Sequence, residues 1–478
     1  MLFNSLSSAL FFPVVLFFYW ILARNSLRLQ NIILLVSSLF FYACWDYRFV
    51  FLLIFSIALD YFTGLKMGNA TDPRVRKFWL VLSIGINLSL LGVLKYYNFF
   101  IESFADGLSL LGLSVNPQTL NLVLPVGISF YTFHGLSYVI DIYKNQIKPE
   151  KDLVDYAVFV SFFPLLVAGP IERATHLLPQ IQRKRVFNYA QATDGLRQIL
   201  WGLFKKIVIA DNCAELANLA FNNHEDHSGS TLLLGAFFFT MQIYGDFSGY
   251  SDIALGVARI MGIELLRNFS YPYFSRDIAE FWRRWHISLS SWFRDYVYFP
   301  LGGSRGSLLL KIRNTFIIFL LSGFWHGANW TFLAWGALNA IYFLPLLISK
   351  SNREHIEIVA KGRLFPTVSD LLRMLGTFSL TVFAWILFRA ENIRHAAEYI
   401  GKIFSKSLFT VPDLLRKELL LLIAAFIIVE WIGREHPYAI ARIGFNWPKT
   451  VKWGFYYCLV IALFVYTGKQ QQFIYFQF

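Results

Sequence analysis

Between Thr315 and Ala340 the chain has the sequence TFIIFLLSGFWHGANWTFLAWGALNA, in which the single ionisable side chain is His326. A stretch this long and this apolar is typical of helices at membrane depth. An ionisable group is costly to bury in a bilayer and is retained there mainly for function. We therefore take His326 as the first candidate catalytic residue, although a lone buried histidine is also compatible with a structural role.

The whole chain shares this apolar character. Of its 478 residues, 56% are hydrophobic and 15% are charged, and phenylalanine alone occurs 50 times. Soluble domains have roughly 25% charged residues, so this composition excludes a soluble globular protein. It predicts an all-α, polytopic membrane protein with about ten to thirteen membrane crossings or partial crossings at ~20 residues each, together with re-entrant and interfacial helices.

Several of the candidate helices contain proline or glycine, most clearly in the middle third of the chain. Examples are LPVGISF at Leu124–Phe130 and YGDFSGYSDIALG at Tyr244–Gly256. Broken helices at membrane depth are tolerated where protein or water covers the freed backbone groups, so this third is expected to line a cavity. We predict one domain over residues 1–478, with a catalytic core at about 121–348, because no linker is long enough to separate domains.

The net charge of +13 arises from basic residues in short loops between the apolar runs. That distribution is typical of cytoplasmic loops beside anionic lipid, so we expect the lipid bilayer, and not nucleic acid, as the partner. Arg24 and Arg28 follow the first apolar run, which predicts a retained first span. Cys44, Cys213 and Cys458 are far apart and have no zinc-like spacing, so we expect no metal and no bound cofactor.

A second informative segment, Phe281–Tyr296, has the sequence FWRRWHISLSSWFRDY. Its large apolar residues recur at helical spacing, which predicts one amphipathic helix across residues 275–300. The arginines Arg283, Arg284 and Arg294 lie off the apolar stripe. They suit an interfacial helix with lipid-facing arginines, or a phosphate-binding donor site, since Arg is the best side chain for that anion.

Polar side chains accompany both motifs. The arginines can instead pair with nearby carboxylates, which are Asp246, Asp252, Asp277, Glu280 and Asp295. Ser322 and Asn329 flank His326 and are candidates for orienting its ring or for stabilising an oxyanion. Packing between helices is the alternative for both, and the more favoured one for Asn329.

EFWRRWHISLSSWFRDYVYFPLGGSR at residues 280–305, followed by SGFWHGANWTFLAWGALNA at 322–340, resembles the membrane-bound O-acyltransferase (MBOAT) family. The similarity is greatest to its bacterial branch of alginate O-acetyltransferases and D-alanyl transferases. This resemblance implies a ring of helices around a thin waist, with a cytoplasmic funnel for the acyl donor. It further implies that His326 is catalytic, that His286 supports it, and that acetyl-CoA is the donor.

The resemblance also implies an extracytoplasmic acceptor and a partner. The acceptor would be a polysaccharide such as alginate or peptidoglycan, and an esterase/hydrolase-like acyltransferase outside the cytoplasmic membrane would complete the transfer. The residues alone leave two alternatives open. One is a transporter or flippase for an envelope precursor, in which the arginines bind a lipid-linked phosphate and His326 relays protons; the other is a structural scaffold.

The chain ends in GKQQQFIYFQF at residues 468–478. More basic residues precede the last apolar run than follow it, so the positive-inside rule predicts that this tail faces the extracytoplasmic side of the inner membrane. The tail is either an aromatic anchor at the membrane interface or an acyl carrier through Tyr475. The second possibility comes from its resemblance to a carboxy-terminal motif associated with acyl relay. A phenyl ester lies between a thioester and a sugar ester in reactivity, because a phenol has a pKa near 10.

Overall fold

The computed structural model describes residues 1, 3–121, 123–468 and 471–474, and these residues form α-helices with short 3₁₀ and π turns. No β-strand occurs within these ranges, which confirms the predicted all-α class. Five helical segments are long and apolar enough to cross a membrane, which confirms a multi-pass membrane protein: Tyr47–Asn69, Pro73–Ser109, Leu308–His326, Trp330–Ile348 and Val368–Arg389. The number of ten to thirteen crossings stays a prediction, since the other apolar helices are shorter.

The chain divides into two compact units. The prediction of one domain with a catalytic core at about 121–348 stays a prediction. The first unit contains residues 1–189 and 258–266. Its helices are α1 Leu6–Phe17, α2 Leu27–Ala43, α3 Tyr47–Asn69, α4 Pro73–Leu91, α5 Tyr97–Ser109, α6 Ile128–Tyr143, α7 Leu153–Ser161, α8 Phe163–Leu166 and α9 Ala174–Ile181.

A buried polar cluster joins α3 and α4 in this first unit. The Asp60 carboxylate of α3 accepts hydrogen bonds from the Ser83 hydroxyl at 2.6 Å and the Asn87 amide at 2.8 Å, both on α4. The same carboxylate lies against α6, where a Cβ on Gly135 would come within 1.9 Å of its second oxygen. These contacts compensate the cost of burying a carboxyl group between membrane helices.

The second unit contains residues 190–257 and those from Arg267 onward. Its helices are α10 Tyr189–Leu203, α11 Asp211–Asn222, α12 Gly229–Ile260, α13 Ile278–Arg284, α14 Ile287–Phe293, α15 Leu308–His326, α16 Trp330–Ile348, α17 Val368–Arg389, α18 Ile393–Ile403, α19 Lys417–Gly433 and α20 Lys449–Val465; Tyr189 and the last three residues of α12 belong to the first unit. Both candidate histidines lie in this second unit.

Candidate active site

His326 is the last residue of α15, and the turn that follows it leads directly into α16. The two helices approach closely at glycines. A Cβ on Gly323 would lie 2.2 Å from the carbonyl oxygen of Phe332, and one on Gly336 would lie 2.4 Å from that of Phe319. Because glycine alone fits such contacts, the helical hairpin fixes the position of the His326 backbone.

His286 lies at a break between two short helices, which corrects the prediction of one continuous helix across residues 275–300. Helix α13 ends at Arg284, and His286 adopts the left-handed conformation, with φ 43° and ψ 54°, as the cap that precedes α14. For a residue with a Cβ this conformation costs roughly 1–2 kcal/mol. Strain of this kind persists where the surrounding structure holds it, and it is concentrated at functional sites.

The stripe of large apolar residues is also buried, so the segment is not an interfacial helix with its apolar face in lipid. Phe281, Trp285, Leu289 and Trp292 belong to the protein core. The apolar periodicity continues across the break because α13 and α14 bury the same side of the segment.

The two histidine rings meet, with their centroids 6.5 Å apart. His286 is 1% exposed and His326 is 6% exposed. Neither ring nitrogen of His286 has a hydrogen-bond partner among the described residues. A buried polar atom without a partner is uncommon in folded proteins, so it points to a ligand that completes the site.

Aromatic rings enclose this pair of histidines. Phe247 of α12 lies 4.7 Å from His286, and Trp325 lies 4.9 Å from His326, measured between ring centroids. Trp335 of α16 and Phe388 of α17 lie 5.3 and 5.2 Å from His326. Phe247, Trp335 and Phe388 carry no signal in the sequence, because aromatic residues are too common in this chain to mark a site.

A cavity of about 650 Å³ lies in the same unit as the histidines, and basic side chains line it. Ser290, one helical turn after His286, and Phe319, about two turns before His326, form part of its wall. The lining basic residues are Arg294, Lys311, Lys350 and Arg353. A cavity of this size accommodates a cofactor-sized ligand, and its charge suits an anionic one.

The structure separates the three predicted donor-site arginines. Arg294 lines the cavity and pairs with Asp295 at 2.7 Å. The Arg284 guanidinium instead forms a buried ion pair with Glu280 at 2.7 Å, which is the alternative expected from the nearby carboxylates. Arg283 donates to the backbone carbonyls of Asn352 and His355, at 2.8 Å each, and so holds the loop that carries Arg353.

The two polar neighbours of His326 have different roles. Ser322 is buried one turn before His326 on α15, and its action on the ring stays a prediction. Asn329 caps α16: its side-chain oxygen accepts from the Thr331 amide at 2.9 Å, and its amide donates to the Glu391 carbonyl at 2.8 Å. These contacts favour a structural role for Asn329.

One cluster among the described residues has ligand atoms close enough to hold a metal ion, and it is formed by His224, Glu225 and Glu398. Glu398 already pairs with Arg394 at 2.7 Å, and both glutamates are exposed. Exposed acidic groups of this kind are common without a metal, so we assign the cluster no function.

Two of the described tail residues are buried in the second unit. Phe473 is 2% and Ile474 is 0% exposed, so these residues do not form a lipid-facing anchor. The ring centroid of Phe473 lies 6.4 Å from that of Phe247, which in turn contacts His286. Tyr475 lies outside the described residues.

The fold and the site define a polytopic α-helical membrane protein with two buried histidines and a basic cavity in one unit. The model of the MBOAT family, the membrane-bound O-acyltransferases, matches residues 149–388, which include both histidines. With relatives 37% and 34% identical over most of its length, this chain belongs to the membrane-bound O-acyltransferase family. The predicted family and the O-acyltransferase class are therefore confirmed.

Three relatives illustrate the range of this similarity. A probable alginate O-acetylase AlgI of Pseudomonas aeruginosa is 37% identical over 90% of this chain and 80% of its own length. A peptidoglycan O-acetyltransferase of Helicobacter pylori is 34% identical over 98% of this chain and 95% of its own length. A teichoic acid D-alanyltransferase of Bacillus subtilis is 28% identical over 58% of this chain and 71% of its own length.

Proposed function

We propose that this protein transfers acetyl groups from cytoplasmic acetyl-CoA, across the inner membrane, to an extracytoplasmic polysaccharide such as alginate or peptidoglycan. The observation that carries the proposal is the pair of buried histidines in the unit that also contains the basic cavity, whose wall includes Ser290, one helical turn after His286. The names of the relatives that match most of this chain support acetyl as the acyl group and a polysaccharide as the acceptor.

The cavity is the proposed site of the donor. Coenzyme A carries several phosphate groups, and Arg294, Lys311, Lys350 and Arg353 supply the positive charge to bind them. With the phosphates at these side chains, the thioester arm would extend along Ser290 and Phe319 toward the histidines. Basic cavity walls would also select acyl-CoA over an uncharged acyl donor.

His326 acts in this proposal as the general base. The acceptor oxygen attacks the thioester carbonyl as His326 takes the hydroxyl proton; a C–O bond forms and the C–S bond breaks. The proton then passes from His326 to the departing thiolate, which leaves as free coenzyme A. Positioned proton transfer contributes typically about 10²–10⁴-fold to such a rate. His286, whose ring nitrogens have no hydrogen-bond partner in the described part of the chain, would donate to the developing oxyanion.

The first acceptor in this proposal is the Tyr475 hydroxyl, with the tail on the extracytoplasmic side. A partner of the esterase/hydrolase type would then move the acetyl group from the tyrosyl ester to the polysaccharide. Two features support this step: a phenyl ester has the intermediate reactivity that a relay needs, and Phe473 and Ile474 are buried in the unit that holds both histidines.

Intact mass spectrometry after incubation with acetyl-CoA tests the proposal. We expect wild type to gain one acetyl group, and His326→Ala and Tyr475→Phe to gain none. The matched controls are His227→Ala, in the loop before α12, and Tyr457→Phe, on an exposed face of α20; both should form the adduct like wild type. An adduct on Tyr475→Phe would refute the tyrosyl ester, and an unchanged adduct on His326→Ala would refute the general base.

A further inference from the structure

The tail is held in the second unit by hydrogen bonds to its backbone as well as by apolar contacts. The amide of Ile474 donates to the Asp246 carboxylate at 2.8 Å. The Lys206 ammonium lies 3.4 Å from the carbonyl oxygen of Gln471. The ring of Phe473 packs 5.2 Å from that of Tyr250. Three of the four residues from 471 to 474 therefore contact side chains of this unit.

The side chains that contact the tail backbone belong to a buried group of three charges. The Lys206 ammonium lies 2.8 Å from Asp246 and 2.8 Å from Asp211. All three side chains are buried, and Asp246 is only 1% exposed. Two carboxyl groups therefore share one ammonium, and a backbone N–H of the tail donates to one of the two, Asp246.

A neighbouring ion pair shows that the contact with the tail is specific. Lys205 and Asp252 lie on the same helical segments as Lys206 and Asp246, and their ammonium and carboxylate are 2.6 Å apart. Asp252 also accepts a hydrogen bond, at 2.8 Å, from the side chain of Gln198. Among the described residues, Asp252 thus has its partners within the helices, whereas Asp246 accepts from Ile474 of the tail.

We propose that Asp246 and Lys206 form a docking site for the tail residues 471–474 and position this segment for acylation. The docking site binds backbone atoms, so it sets the register of the tail along the site. Asp246 precedes Phe247, the ring that contacts His286, and this links the docking site to the histidines. The inference rests on the proposed function, because docking affects catalysis only where the tail carries the acyl group.

Accessibility of the docked tail can be measured without any acyl donor. Ile474→Cys is introduced into the full chain after Cys44, Cys213 and Cys458 are replaced by alanine, and its reaction with a maleimide is followed in detergent. We expect Asp246→Asn to raise the labelling rate at least tenfold, because an amide oxygen cannot serve both Lys206 and the tail. Asp252→Asn is the matched control and should label at the parent rate.

Acetylation of the tail is then measured on the same variants with residue 474 restored. The proposal expects Asp246→Asn to form the acetyl adduct at least tenfold more slowly, with an unchanged KM for acetyl-CoA. Loss of fold would instead alter KM and the melting temperature together. Equal labelling of the Asp246→Asn and parent proteins would overturn the docking site, and equal adduct rates would overturn its positioning role. Release of the tail without any wild-type adduct would support docking and refute the tyrosyl relay.

Discussion

The strained backbone at His286 predicts the reverse of the usual order of stability, in which an alanine variant is more stable than a glycine variant. We expect His286→Gly to be more stable than His286→Ala, although both remove the imidazole. The φ of 43° at this position is free for glycine and costs alanine roughly 1–2 kcal/mol. Glycine loses about 0.5–1 kcal/mol through the greater entropy of its unfolded chain. The expected net difference is therefore about 0.5–1 kcal/mol in favour of glycine.

The assay is equilibrium unfolding of the purified variants in mixed detergent micelles, with the free energy of unfolding as the readout. Ser291, inside α14, is the matched control, because its backbone is helical and glycine there should be about 1 kcal/mol less stable than alanine. Opposite signs at positions 286 and 291 are the expected result. If alanine equals or exceeds glycine at 286, the left-handed conformation is not a property of the folded protein and the strain argument fails.

Three further predictions concern the cavity, the first unit and the helical hairpin. Lys311→Gln should raise KM for acetyl-CoA several-fold with little change in kcat, and the effect should shrink at high salt, because exposed charges are screened; steady-state kinetics at two ionic strengths check this. A hydrogen bond from His176 to Glu172 raises the pKa of the histidine above its usual value of 6.5. The stabilisation that protonated His176 gives the folded protein is therefore complete below pH 6.5 and is lost as the pH rises through the raised pKa. The melting temperature, measured as a function of pH, should show this loss of stabilisation in wild type and should lack it in His176→Gln. Gly323→Ala should lower the free energy of unfolding by about 1–3 kcal/mol, because the added Cβ would overlap a backbone carbonyl. Gly376→Ala, which has open space around it in α17, should be neutral or stabilising. Unfolding in mixed micelles measures both variants.

Composition and the motif around His326 were sufficient to predict the fold class and to select His326, and the resemblance to the MBOAT family added His286, whose ring the structure brings close to that of His326. Apolar runs report burial in a membrane directly, and an isolated ionisable group within such a run is conspicuous. The break at His286 was not predictable from periodicity. The apolar spacing from Phe281 to Trp292 continues through it, and a single left-handed residue leaves no mark in that pattern.

Side-chain partners were predicted less well, because several partners are compatible with one sequence. Arg284 forms an ion pair with Glu280, a carboxylate at helical spacing from it, whereas Arg294 lines the cavity. For Asn329 a structural role was the favoured alternative, but its contacts as a helix cap were not predicted. The contact of Ile474 with Asp246 joins residues that are 228 positions apart, and no local pattern encodes such a contact.

The polar cluster between α3 and α4 has a consequence for how the protein enters the membrane. Within the residues that the structure describes, Asp60 accepts hydrogen bonds from Ser83 and Asn87, which are synthesised 23 and 27 residues later. At a synthesis rate of about 5–20 residues per second, these two residues follow Asp60 by roughly one to five seconds. An aspartate alone at the centre of a helix opposes insertion by ~3 kcal/mol. We therefore expect α3 to leave the translocation machinery together with α4, as a preassembled hairpin.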